Sequence, residues 1–166
     1  MWGIFKLGEE NQMIRELDLH HPEILTDVFE LQRASYLIEA KLINFYEIPP
    51  LLETIEELKN CSETFLGYYV DEKLAGAISY TTQASSLTIC RMVVHPDHFR
   101  NGIAQKLLRK VEEQNPDISV LYVSTGKDNP PARNLYLRNG FTFVSDHEVI
   151  PGLYISHFKK EKHHPE

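Results

Sequence analysis

The chain has 166 residues, of which 42% are apolar and 25% charged, and this length and composition predict one water-soluble globular domain. The 17 Lys and Arg against 24 Asp and Glu give a formal net charge of −7, which disfavours nucleic acid as a partner because phosphate backbones are bound by clustered basic side chains. No apolar run approaches the ~20 residues of a membrane-spanning helix, and the N-terminal residues lack a secretory-signal pattern, so we expect a cytoplasmic protein without a membrane partner.

Apolar periodicity and turn residues divide the chain into short strands and helices. The predicted elements are, in chain order, a strand (13–19), a helix (21–40), a short helix (51–60), a hairpin (63–70 and 73–80), a central strand (86–94), a helix (102–114), a strand (117–125), a short helix (131–139) and a closing pair of strands (141–149 and 153–160).

The order β-α-α-β-β-β-α-β-α-β-β predicts an α/β fold with a mixed sheet. The helix at 102–114 connects two strands that must be parallel neighbours, whereas the hairpins are antiparallel. We therefore expect a single domain over 1–160, followed by a charged, disordered tail at 161–166.

The stretch HPDHFRNGIAQKLL (95–108) joins the central predicted strand to an amphipathic helix. The first amide groups of a helix have no intrahelical acceptor, and together with the helix dipole they favour an anion. Gly102 and Ala104 would let a phosphate approach this backbone closely. Alternatively, Gly102 only permits tight packing of the helix against a strand. The stretch contains neither a G-x-x-x-x-G-K loop nor a G-x-G-x-x-G fingerprint.

Two stretches together resemble the GNAT superfamily of acyl-CoA-dependent N-acyltransferases. The first, VVHPDHFRNGIAQKLL, is similar to that family's strand, proline-containing turn and R/Q-x-x-G-x-G/A, with Gly102 and Ala104 at the last two fixed positions. It departs from the family at Phe99, where Arg or Gln is usual, with Arg100 beside it. The second, DNPPARNLYLRNGF, resembles N-x-x-A-x-x-x-Y-x-x-x-G-F, and its fixed positions are Asn129, Ala132, Tyr136, Gly140 and Phe141.

This resemblance implies a fold that binds acetyl-CoA as acyl donor and transfers its acetyl group to an amine. It implies that Tyr136 donates a proton to the leaving thiolate, although Tyr136 could instead be a core aromatic of a short helix. Asn129 would hold the cofactor or, equally, cap that helix. The implied cofactor-binding residues are Met92, Val93, Val94, Arg100, Asn101, Gly102, Ile103, Ala104 and Asn129.

In the same resemblance, main-chain groups of residues 92–94 lie beside the pantetheine arm, and one of their amides faces the thioester oxygen. The general base stays open. Many relatives have a glutamate on this strand, but here the strand offers Arg91, which cannot act as a base. The alternatives are Glu47, in the NFYEIPP connection, and a chain of water molecules. That connection and its flanking helices are the expected wall for the acceptor.

Histidine and cysteine side chains do not indicate a metal site or a covalent intermediate. His95 and His98 have H-x-x-H spacing, but a zinc site needs three or four ligands, and we interpret these histidines as turn residues. Cys61 and Cys90 are too few for a disulfide framework and should be reduced thiols. Cys90 is expected to face inward and to be inert, which favours direct transfer.

Two functions of different class fit the sequence. The first is an N-acetyltransferase that acts on a primary amine of a small molecule or peptide. The second is a non-catalytic acyl-CoA-binding domain that senses the cofactor or binds a partner protein, which the absent strand glutamate and Phe99 make credible. An unrelated phosphate-ligand enzyme would require the downstream motif to be accidental. The acceptor, the acyl length and the choice between monomer and homodimer stay open.

Overall fold

The computed structural model describes residues 12–44, 46, 47 and 49–162. Within these residues the chain forms seven strands and five α-helices. The strands are β1 Gln12–Leu17, β2 Thr64–Val70, β3 Lys73–Gln83, β4 Ser86–Val94, β5 Val120–Gly126, β6 Thr142–Ile150 and β7 Leu153–Glu161. The helices are α1 Pro22–Ile43, α2 Pro49–Leu52, α3 Ile55–Lys59, α4 Ile103–Gln114 and α5 Pro130–Arg138.

All seven strands join one sheet in the order β1-β2-β3-β4-β5-β7-β6. The β4–β5 pair is parallel, and every other neighbouring pair is antiparallel. The predicted mixed sheet is confirmed, and β4 lies at its centre as its apolar sequence suggested. No helix in the described ranges is both long and apolar enough to cross a bilayer.

Two details of the predicted elements are wrong. The single short helix expected at 51–60 is two helices, because Thr54 starts a new one. The Thr54 hydroxyl accepts the Glu57 amide at 3.1 Å, and the Glu57 carboxylate accepts the Thr54 amide at 2.9 Å, which is a capping box. The predicted tail begins too early, since β7 includes Glu161 and the Lys162 amide donates to Ser119 O. Residues 163–166 lie outside the described ranges.

The sheet opens along its middle. β4 pairs with β5 only over Ser86–Ile89, which faces Val120–Val123. The β3–β4 register shifts at the same level, and Cys90 is the extra residue of this bulge. A bulge bends its strand, so β4 and β5 diverge beyond it and their facing edges have no ladder partner in the described structure.

Separate apolar cores cover the two faces of the sheet. On one face α4 buries Ile103, Leu107, Leu108 and Val111 against β2–β5. On the other face α1 and α3 bury side chains that include Val28, Leu31 and Leu58. The gap between β4 and β5 therefore connects the face of the sheet that α4 covers with the face that α1 and α3 cover.

Candidate functional site

A cleft of about 1120 Å³ lies where β4 and β5 separate, and this volume is large enough for a cofactor-sized ligand. Its walls come from the C-terminal half of α1, the end of β4, the turn into α4 and one side of α5. The lining residues that the sequence analysis named are Met92, Val94, Arg100, Asn101, Gly102, Ile103, Ala104 and Asn129. The structure thus brings eight of the nine predicted cofactor-binding residues to one cavity.

The start of α4 forms one end of the cleft. The first intrahelical bond is from the Lys106 amide to Gly102 O at 3.1 Å. Within the described residues, no protein group accepts a hydrogen bond from the amides of residues 100–105. Arg100 and Arg138 line the same cavity. Unpaired amides at a helix N-terminus, in a cavity that two arginines also line, are a suitable environment for a phosphate.

Gly102 has a conformational role in this end of the cleft. It is the N-cap of α4 with φ +74°, a left-handed conformation that side chains disfavour. A Cβ built on Gly102 would have no atom within 4 Å, so the glycine is not there to permit close packing. The residue with that role is Gly76 of β3, where a Cβ would lie 2.7 Å from Ile103. Packing as the reason for Gly102 is therefore wrong.

The end of β4 forms a long wall of the cleft. Met92 and Val94 line the cavity, whereas the Val93 side chain is buried on the opposite face in the α1 core. This alternation is that of an ordinary strand. Any contribution of Val93 to the cleft therefore comes from its main chain, which is the kind of contact that the sequence analysis expected for residues 92–94.

Asn129 is both a helix cap and a residue of the cleft, the two alternatives that the sequence left open. It precedes α5, and its Oδ1 accepts the Ala132 amide at 3.3 Å, so it is the helix N-cap. It also lines the cleft, although it is only 8% exposed. The capping bond fixes its side chain at the cavity wall.

Tyr136 lies behind this wall and is not among the lining residues. Its ring is buried in the core, with its centroid 5.5 Å from that of Phe141 and 6.2 Å from that of Phe158. Burial raises the pKa of the Tyr136 hydroxyl, and the charge of Glu39 raises it further. The phenol is therefore protonated at neutral pH and lies within electrostatic reach of a residue that does line the cleft.

Glu39 of α1 is a lining residue that the sequence analysis missed. Burial raises the pKa of its carboxyl, and hydrogen bonds from the Asn129 side chain and the Gly126 amide offset only part of this rise. Helical spacing places Ser35, Glu39 and Leu42 on one face of α1, but this spacing does not show that the face lines a cleft. The sequence analysis considered Glu47 instead, and that side chain is exposed and is not a lining residue.

Arg91 occupies the β4 position at which the sequence analysis found no carboxylate, and it gathers two carboxylates from other elements. Its guanidinium donates to Glu53 at 2.6 and 2.8 Å and to Glu63 at 2.9 and 3.1 Å. Gln32 and Ser79 complete this group, which we call the Arg91 cluster. Two carboxylates against one guanidinium leave one uncompensated negative charge.

The Arg91 cluster also governs the ionisation of its members. Burial works to raise the pKa of Glu53, but the hydrogen bonds from Arg91 and Gln32 and the charge of Arg91 outweigh it, so this pKa is lowered. Tyr36 of α1 is buried close by. Burial raises the pKa of its hydroxyl, the charge of Arg91 opposes this rise, and the charges of Glu39, Glu53 and Glu63 add to it. Tyr36 is therefore close to both Glu39 and the Arg91 cluster.

The cysteines and the turn histidines take no part in the cleft as nucleophile or ligand cluster. Cys90 is exposed because the bulge turns it outward, which corrects the expectation that it faces inward. Burial of part of its side chain raises the pKa of its thiol, so it is not activated. His95 caps the turn Pro96–His98 by accepting the Asp97 amide at 3.1 Å. No group of three metal-ligating side chains converges in the residues that the structure describes.

A model of the GNAT acetyltransferase family matches residues 25–141, which include most of α1, β4, α4 and α5. The chain belongs to the GNAT family. A curated relative, UPF0157 protein YqkA of Bacillus subtilis (strain 168), is 38% identical over 146 residues, which is 88% of this chain and 43% of the relative. The chain therefore spans less than half the length of that relative.

Solved GNAT structures share this architecture. The PaiA N-acetyltransferase of Thermoplasma acidophilum, in complex with coenzyme A, has a TM-score of 0.73 at 20% identity and covers 91% of this chain and 99% of its own. An aminoglycoside 6′-N-acetyltransferase complexed with coenzyme A has a TM-score of 0.71 at 16% identity and covers 93% of this chain and 99% of its own. At these identities the likeness shows a common fold, and membership of the GNAT family gives acetyl transfer as the general class of reaction.

Proposed function

We propose that this GNAT protein is a cytoplasmic N-acetyltransferase that moves the acetyl group of acetyl-CoA to a primary amine of a small molecule or peptide by direct transfer. The observation that supports this most is the cleft between β4 and β5, which ends at the unpaired amides and open Gly102 of α4. Two solved proteins that share this fold, the PaiA N-acetyltransferase and the aminoglycoside 6′-N-acetyltransferase, are complexes with coenzyme A.

The residues of the cleft fit the parts of acetyl-CoA. Amides at the start of α4, from Gly102 to Ala104, would bind the pyrophosphate, with Arg100 and Asn101 beside it. The free edge of β4 at Met92–Val94 would pair with the amide groups of the pantetheine arm as an added strand does. Asn129 would hold the same arm from the α5 side.

The thioester supplies an activated acetyl group, and the protein must stabilise the oxyanion and protonate the leaving sulfur. An amide on the free edge of β4 past the bulge would donate to the oxyanion, a role that needs no particular side chain. Tyr136 would protonate the thiolate, since its phenol carries a proton at neutral pH. Burial raises the pKa of this phenol, which makes the transfer less favourable than from a free tyrosine, so the role depends on positioning of the hydroxyl.

A non-catalytic acyl-CoA-binding domain is the second candidate. The observation that favours it is the Arg91 cluster, in which the β4 residue is a cation that holds Glu53 and Glu63 in ion pairs. A carboxylate whose pKa is lowered in this way, as that of Glu53 is, makes a poor base. This candidate predicts acetyl-CoA binding without thiol release.

Thiol release from acetyl-CoA, measured with a panel of alkyl monoamines, diamines and short peptides, separates the two candidates. For Tyr136→Phe we expect kcat to fall by at least about 10²-fold with the Kd of acetyl-CoA unchanged. Tyr122→Phe is the matched control, because Tyr122 is exposed on β5. An unchanged kcat for Tyr136→Phe would remove Tyr136 from the mechanism, and a wild-type protein that binds acetyl-CoA but releases no thiol would favour the binding domain.

A further inference from the structure

Helix α1 presents different residues to the α1 core and to the cleft. Its C-terminal half directs Gln32, Tyr36 and Ala40 into the buried region beside β4. The residues that it contributes to the cleft are Ser35, Ile38, Glu39 and Leu42. Among the lining residues that the structure describes, Glu39 is the one carboxylate.

The divergence of β4 from β5 leaves one edge of the end of β5 without a partner strand near Glu39. Gly126 ends β5, and its neighbour on one edge is Ile155 of β7. On its other edge β4 has already separated, since the pairing with β4 ends at Val123. The Asn129 side chain and the Gly126 amide are close enough to the Glu39 carboxyl to offset part of the rise in its pKa. A carboxylate on α1 thus lines the cavity near the point where the strands part.

The surroundings of Glu39 suit a group that gains and loses a proton. The other ionisable residues that line the cleft are His98, Arg100 and Arg138. Tyr136 and Tyr36 do not line it, but they are close enough for the charge of Glu39 to raise the pKa of each. No ion pair with Glu39 is formed in the described residues. Burial raises the pKa of Glu39, in contrast to Glu53, whose pKa Arg91 lowers.

We propose that Glu39 is the general base of the acetyl transfer, which accepts a proton from the acceptor ammonium inside the cleft. The inference rests on the proposed function, because it needs an amine and acetyl-CoA in the same cavity. It assigns the role to a residue of α1, and not to β4 or to the NFYEIPP connection. Glu39 lines the cavity with Met92, Val94 and Asn129, which are the residues proposed to hold the pantetheine arm.

The acceptor ammonium loses two protons during the transfer. One proton passes from the ammonium to the Glu39 carboxylate, and the freed nitrogen lone pair forms the C–N bond to the thioester carbon. The C–S bond then breaks, its electron pair stays on sulfur, and sulfur takes a proton from Tyr136. The second ammonium proton restores the Tyr136 phenol through water, and Glu39 releases its proton to solvent. The products are the N-acetyl amine, coenzyme A as a thiol and one proton.

Glu39→Gln tests this role, since glutamine has nearly the same size and shape and can still accept hydrogen bonds but cannot take a proton. The probe is the amine of the thiol-release panel that gives the highest wild-type rate. We expect kcat/KM to fall by about 10²-fold or more, with the calorimetric Kd of acetyl-CoA within about twofold of wild type. The control Glu30→Gln, on the exposed face of α1, should keep wild-type values.

The pH profile separates a base from a residue that only shapes the cleft. For wild type, kcat/KM should rise with pH through a midpoint above the ~4.3 of a free glutamate, because the pKa of Glu39 is raised. Glu39→Asp should keep that rising limb at a lower rate, and Glu39→Gln should lose it. The acceptor amine has the same pKa with every variant. The part of the pH profile that is lost in Glu39→Gln is therefore the part that depends on Glu39.

Each alternative outcome overturns the inference in a different way. Wild-type kcat/KM and pH profile in Glu39→Gln would show that another group takes the proton. Loss of acetyl-CoA binding in Glu39→Gln would show that Glu39 holds the cofactor or the fold. Acetyl-CoA binding by the wild type without thiol release from any amine would overturn the inference together with the catalytic proposal, and no binding at all would overturn the proposed function at its first step.

Discussion

Strand β4 contributes to two regions, the turn into α4 and the Arg91 cluster. These two regions are built from different parts of the chain. The turn consists of neighbouring residues, and its function depends on main-chain amides and on Gly102. The cluster brings together side chains from α1, β3, β4 and the segments that flank α3. Local backbone geometry leaves a motif in the sequence, and a cluster of distant side chains does not.

Arg91→Met should break the cluster and leave the turn intact. The side chains of Glu53 and Glu63 are only 17% and 16% exposed, so removing their cation leaves two largely buried carboxylates together. We expect the free energy of unfolding in urea to fall by about 3 kcal/mol. Arg109→Met, on the exposed surface of α4, should change it little. A loss below about 1 kcal/mol for Arg91→Met would show that the cluster is well solvated.

Gly102→Ala should break the turn and leave the cluster intact. Gly140 also has a positive φ, +92°, but it lies outside the cleft, where a Cβ would meet only the flexible Lys160 side chain at 3.1 Å. Both alanine variants should lose about 1 kcal/mol of stability from the left-handed backbone. Only Gly102→Ala should also weaken acetyl-CoA binding, by about tenfold, or about 1.4 kcal/mol. Equal Kd values for the two variants in calorimetry would contradict a phosphate site at Gly102.

Thr54→Ala is a milder test of the cluster. Thr54 caps α3 and follows Glu53 directly, so loss of its hydroxyl frees the end of the segment that holds Glu53. The expected loss is about 1 kcal/mol of unfolding free energy. Thr82→Ala, on the exposed end of β3, is the control. Identical urea midpoints for both variants would show that the cap contributes nothing.

As the pH is lowered, the Arg91 cluster should lose stability before the turn into α4 does. We expect this change in the free energy of unfolding to be the smallest of those predicted. Burial alone would raise the pKa of Glu53, but Arg91 and Gln32 lower it below the unfolded value. The stabilisation is therefore fully present above the unfolded pKa of about 4.3 and is lost as the pH falls through the folded pKa. Urea unfolding between pH 7 and pH 3 should show a smaller acid loss for Glu53→Gln than for wild type. An equal loss would place the acid sensitivity elsewhere.

The difference between the two regions also explains which predictions from sequence succeeded. The strand, turn and helix around Gly102 follow from local periodicity, and Asn129 is fixed by its own capping bond. The break at Thr54 was missed although its capping box is local. Glu39 and the Arg91 cluster depend on the β4–β5 divergence and on packing across the sheet. The hydrophobic periodicity of one segment does not show which side chains from distant parts of the sequence will pack against it.

The central claim is that the cleft between β4 and β5 binds acetyl-CoA with its pyrophosphate at the start of α4. Calorimetric titration of the folded protein with acetyl-CoA tests this most directly, with adenosine 3′,5′-bisphosphate as the comparison ligand. We predict micromolar binding of acetyl-CoA and clearly weaker binding of the bisphosphate, which lacks the pyrophosphate and pantetheine groups. No detectable heat with acetyl-CoA would mean that the chain keeps the GNAT fold without its cofactor site.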